Sequence, residues 1–243
     1  MAAATGRNRK IVSASNEMMN KDPRIALIHA TPLAMEPIQS AFARHWPQAR
    51  CMNLLDDSLS VDRAEAGYLT PEMTQRFIDL ASYCGRAGCS AILFTCSAFG
   101  PAIEAAGHAV GLPTMNPNQA MFDEALAWSA AHGPKVGLIA TFEASIASLS
   151  AELHEQARQL GQSIDLHTRF VPEAMQDLAR GQAQDHHRKI AAAAHSLRDC
   201  HIVMLAQFSM AAALPVVQTE LACPVLSSPD CAVLALKKTL TDA

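Results

Sequence analysis

The sequence predicts an α/β protein of two pseudo-symmetric lobes, each with a mainly parallel sheet of about four strands flanked by helices. Three observations predict it. From Arg24 onward, short apolar β-rich runs alternate with longer helical patterns, the signature of stacked βα units. The chain also repeats itself at a separation of 111 residues: CSAILFTCSAF from Cys89 matches CHIVMLAQFSM from Cys200, RIALI from Arg24 matches KVGLI from Lys135, and Pro113 matches Pro224. Finally, 50% of the 243 residues are hydrophobic and only 17% charged, enough apolar surface for sheets covered on both faces.

The elements follow in order. Residues 1–22 (MAAATGRNRKIVSASNEMMNKD) are polar, small and aperiodic, and read as a flexible leader. In the first half, the strands RIALIH, ARCMNLL, SAILFT and LPTM are followed by helices over 33–45, 71–84, 101–107 and 118–130. In the second, KVGLIA leads to a helix over 144–160, SIDLHT to helices over 172–179 and 184–197, HIVMLA to 208–214, and CPVL to 229–240. Residues 23–115 plus 215–243 are expected to form one lobe, and 116–214 the other. Thr31-Pro32, Thr70-Pro71, Asn116-Pro117 and Ser228-Pro229 mark helix starts, a capping side chain standing before a proline whose missing N–H costs nothing there.

Composition narrows the function. A net charge of −4, with no dense basic run after the first ten residues, gives nucleic acid no electrostatic footprint. No apolar run is long enough to cross a bilayer, and the start lacks a secretory h-region, so a cytoplasmic protein is expected. Seven cysteines, an odd number, point to free thiols in a reducing compartment. Cys84 and Cys89 have no second pair at zinc-site spacing, and adjacent His186-His187 cannot share a helix face, so no metal is expected. Absence of G-x-G-x-x-G argues against a dinucleotide enzyme.

In open parallel sheets, ligands bind beyond the carboxyl ends of the strands. His29, Thr31, Cys96, Ser97, Thr141, Gln207 and Phe208 all fall at such ends. Hydroxyls of Thr31, Ser97 and Thr141, with helix N-terminal N–H groups, suit a carboxylate. Cys96 precedes the Gly100-Pro101 helix entry, where a helix N-terminus favours a thiolate. The alternative is a small buried hydrophobe. The repeat places Gln207 opposite Cys96 in the sequence, an amide where symmetry would have a second thiol.

The duplicated halves, the motif FTCSAFGPAIE and the segment KVGLIAT resemble the aspartate/glutamate/hydantoin racemase superfamily over about residues 24–240. The resemblance implies a cofactor-independent enzyme, an active site between the lobes, a small carboxylate substrate, and a homodimer or higher homo-oligomer. Family racemases hold one cysteine from each lobe on opposite faces of the substrate. Here the first falls on Cys96 and the second on Gln207, which has no usable proton affinity near neutral pH. The implied activity is a racemase or isomerase on an amino acid, hydantoin or dicarboxylate, working through a single thiol. Decarboxylation of a malonate-like diacid and a non-catalytic small-molecule-binding role are the alternatives. His29 is a candidate partner for the thiol, or a hydrogen-bonded histidine at a strand end.

Overall fold

The computed structural model describes residues 22–242, so all but the last residue of the leader read at 1–22 lies outside the described residues. Two four-stranded, wholly parallel sheets make up the molecule, with strand orders β2-β1-β3-β4 and β6-β5-β7-β8. The first comprises β1 (Arg24–His29), β2 (Arg50–Leu55), β3 (Ala91–Phe94) and β4 (Thr114–Met115). The second comprises β5 (Lys135–Ala140), β6 (Asp165–Phe170), β7 (Ile202–Leu205) and β8 (Val225–Ser227). The expected strand LPTM shortens to two residues.

The helices are α1 (Met35–His45), α2 (Ser58–Ala66), α3 (Pro71–Arg86), α4 (Gly100–Val110), α5 (Gln119–His132), α6 (Ala144–Gln159), α7 (Ala174–Ala179), α8 (Ala183–Ala194), α9 (Leu214–Glu220) and α10 (Ser228–Thr241). Helix α2 fills the segment that follows β2. Its Leu59 is buried, and Arg76 of α3 grips Asp56 and Asp62, each at 2.5 Å. Two of the four expected caps stand one or two residues away from their predicted place. Ser227, not Ser228, caps α10 by accepting from the Asp230 N–H at 3.4 Å. Helix α5 begins at Gln119, and Asn116 instead accepts from the Asn118 N–H at 3.3 Å.

The repeat is physical. The Thr95 N–H donates to the Ile28 carbonyl at 3.0 Å, and the Ala206 N–H to that of Ile139 at 2.9 Å. Asp56 and Val171 make the matching bonds to His29 and Ala140 at 3.0 and 2.9 Å. Arg24 pairs with Arg50 and Lys135 with Asp165, so the second copy is four residues longer between these strands.

Alternation along the central strands divides the core. Ala26 and Ile28 face α3 and α4, while Ile25 and Leu27 face α1. In the second sheet, Val136, Leu138 and Ala140 face α5 and α6, while Ile139 faces α8 and α9. Both faces of each sheet are covered, which is why the central strands are continuously apolar. The last helix of each half crosses over. Helix α5, following β4, buries Met121, Phe122, Ala125 and Leu126 on the second sheet, and α10, following β8, buries Ala232, Val233 and Leu236 on the first. The segment 215–243, expected wholly in the first lobe, is therefore divided: β8 pairs with β7, and only α10 returns.

Candidate active site

Each sheet reverses its strand order between its central strands: β2 lies on one side of β1 and β3 on the other, with β5, β6 and β7 repeating the pattern. Loops leaving two strands at such a switch point diverge and open a crevice at the carboxyl edge. The loops at these two switch points begin with Ala30-Thr31 and Thr95-Cys96 in the first sheet, and with Thr141-Phe142 and Ala206-Gln207 in the second.

Cys96 and Gln207 are structural equivalents. Each stands two residues after its strand, in extended backbone (φ −129°, ψ 116° and φ −111°, ψ 146°), and each opens a 3-10 turn, Ser97–Phe99 and Phe208–Ala213 respectively. Buried Phe99 pins the first turn, its ring 4.8 Å from that of Phe77. Buried Met210 occupies the corresponding position in the second.

The thiol environment departs from expectation. Cys96 leads into a three-residue 3-10 turn, not directly into α4. Burial pushes its pKa above the ordinary 9.0, and the Ala98 N–H bonded to sulfur only partly opposes this. At neutral pH Cys96 therefore carries its proton.

Gln207 is engaged. Its Oε1 accepts from the Thr141 N–H at 2.8 Å and the Thr141 hydroxyl at 3.2 Å, and its Nε2 donates to Ser145 Oγ at 2.9 Å. Ser145 in turn donates to the Phe142 carbonyl at 2.7 Å. The amide thus clamps the loop between β5 and α6, leaving a single N–H free for a ligand. Thr141 spends both its donors on this clamp, so it has none for a carboxylate, contrary to its expected role.

The remaining expected site residues separate. Thr31 accepts from the Leu33 N–H at 3.4 Å and keeps its own O–H available, and Ser97 is exposed. His29 is 0% exposed, with Nδ1 2.8 Å from Thr95 Oγ1 and Nε2 3.0 Å from Asn53 Oδ1. Burial lowers its pKa, only partly offset by the Asn53 bond, so it is a neutral ring with both nitrogens occupied. Phe208 does not line a crevice: it is buried in the first lobe's core with Ala34, Ile38 and Phe42. His186 is also fully buried, beside Ala174.

Sequence reading missed Ser145, Phe142, Leu33 and the Ala98 N–H. Only Phe142 had a signal, as the residue after KVGLIAT. A surface groove of about 390 Å³ between α8 and α9, lined by His187, His195, Val216 and Glu220 among others, receives no residue from these strand-end loops. No cluster of three or more metal-ligating side chains occurs among the described residues, and no described helix is long and apolar enough to cross a membrane.

No curated protein matches the chain. Solved structures do. A glutamate racemase isoform of Bacillus anthracis superposes with a TM-score of 0.67 at 16% identity, covering 92% of this chain and 83% of its own. Allantoin racemase from Klebsiella pneumoniae gives 0.66 at 16%, covering 90% and 88%. An arylmalonate decarboxylase gives 0.63 at 18%, covering 89% and 92%. At such identities the likeness establishes a shared fold. The family's sequence profile matches residues 25–236, spanning both sheets and both switch points, and the chain belongs to the Asp/Glu/Hydantoin racemase family.

Proposed function

We propose that the chain is a cofactor-independent, isomerase-type enzyme acting on a small carboxylate or related carbon acid, with Cys96 handling the proton on one face. One observation carries this reading: Cys96 and Gln207 occupy equivalent positions, and the amide is tied to Thr141 and Ser145. An amide has no usable acidity or basicity near neutral pH, so proton transfer on the second face falls to water or does not take place. Thr31, Ser97 and the N–H groups of the 3-10 turn would hold the carboxylate.

Decarboxylation is a second reading, favoured by the state of the thiol. A protonated Cys96 is ready to give its proton to a carbanion left by departing carbon dioxide: the S–H bond breaks, a C–H bond forms, and solvent restores the thiol. Abstraction of an α-proton would first require that thiol to ionise. Following α-proton exchange in deuterated water alongside carbon dioxide release separates the two readings. In either, Cys96→Ser is expected to lower turnover by about 10²–10⁴-fold. Full turnover in Cys96→Ser would sink both, and a wild type that binds carboxylates but neither exchanges the α-proton nor releases carbon dioxide would be a binding protein.

A further inference from the structure

The loops leaving the eight strands hold no lysine and no arginine. Cations instead collect at the opposite sheet edge: Arg24, Arg50 and Lys135 open β1, β2 and β5, and Arg86 and Arg158 sit in the last turns of α3 and α6. Near the end of β2, Arg76 is consumed by Asp56 and Asp62. The strand-end loops do carry acids, among them Asp57, Glu143 and Glu173. One carboxylate can be held there by N–H and hydroxyl donors, but a second on the substituent would meet no lysine or arginine of these loops and several like charges.

Large apolar side chains stand exposed on two of these loops. Leu33 is 55% exposed, directly after Thr31 and Pro32, and Phe142 is 51% exposed, directly after Thr141. Gln207 connects them. Its side chain clamps the loop bearing Phe142, and the following Phe208 packs against Ala34, next to Leu33. One exposed large apolar side chain thus stands on a switch-point loop of each lobe, and Gln207 and Phe208 tie both loops to the position that lacks a thiol. Exposed leucine and phenylalanine side chains forgo burial, which a bound apolar group would recover.

We propose that this site takes a carboxylate whose substituent is apolar, aryl or branched alkyl, and that Leu33 and Phe142 set the preference against acidic amino acids. This substrate class rests on the carbon-acid reading above. Phenylglycine and 2-phenylpropionate, compared with aspartate and glutamate, test it. Binding is read by ligand-observed NMR on wild type and Cys96→Ser, so it does not depend on turnover, and α-proton exchange is read separately. Aryl ligands are expected to bind at least about 10-fold more tightly than the acidic amino acids. Phe142→Ala and Leu33→Ala are each expected to reduce that ratio, and Phe142→Arg to move it toward glutamate.

Equal or tighter binding of aspartate or glutamate overturns the proposal, as does a ratio unchanged in both alanine variants or no aryl binding at millimolar concentration. Arg63 on α2, whose Nε is buried without a partner among the described residues, supplies the rival explanation. Acidic ligands that bind well in wild type and are lost in Arg63→Ala would assign the recognition to that guanidinium instead. Aryl preference without Cys96-dependent exchange leaves the ligand class standing and removes the catalytic reading.

Discussion

A half-buried thiol and a clamped amide set the chemistry at the level of single residues. Placement near a helix entry suggested an ionised Cys96, and desolvation outweighs the one N–H that the short turn directs at sulfur. Alkylation of Cys96 by iodoacetamide is accordingly expected to be slow at pH 7 and to rise steeply only above pH 9, measured by mass spectrometry of the modified peptide. Rapid labelling at pH 6 would contradict this assignment. Gln207 carries a separate expectation. Gln207→Leu keeps the bulk but removes three hydrogen bonds, leaving the Thr141 N–H without its partner, and should lower stability by about 1–3 kcal/mol in urea unfolding.

Helix ends and turns transmit these residue effects to the frame. The start of α10 shows the wiring: Asp230 accepts from Arg44 at 2.7 Å and from Ser227 at 2.6 Å, lies 2.8 Å from His45 Nε2, and so ties α1 to α10. Burial works against this carboxylate, and the Ser227, Arg44 and His45 bonds together outweigh it, holding its pKa below the ordinary 3.8. A carboxyl with a depressed native pKa stabilises fully above its unfolded value and loses that contribution as pH falls through the native one. Asp230→Asn is therefore expected to cost stability at pH 7 by about 1–3 kcal/mol and to narrow its gap from wild type below pH 4, read from thermal unfolding across pH. Gly137 marks where the repeat is imperfect. It replaces Ala26 of the first copy because a Cβ there would lie 2.9 Å from Val203 and 3.1 Å from Leu197.

Reciprocal exchange of the last helices makes the lobes interdependent across the whole molecule. Helix α5 completes the second sheet's core, α10 completes the first, and Phe208 adds a side chain from the second half to the first lobe's core. A chain so interlaced is expected to unfold in one transition, with fluorescence and circular dichroism midpoints coinciding. Phe208→Ala should lower stability by about 3–5 kcal/mol while keeping the transition single. Two separate transitions would show that the lobes stand alone.

The amino-acid sequence by itself determined the βα order, the duplication, and the family to which the chain belongs, because apolar periodicity and proline-marked helix starts are local properties written in neighbouring residues. It also brought Cys96 and Gln207 into correspondence, since the 111-residue separation holds through β3 and β7. Tertiary structure alone decided what those side chains can do. The thiol's proton depends on the depth of its burial, the availability of Gln207 and Thr141 on their bonds to each other, the silence of His29 on Thr95 and Asn53, and the place of Phe208 on a core built by the other lobe. Desolvation and hydrogen-bond satisfaction are sums over neighbours distant in the chain, and no local pattern carries them.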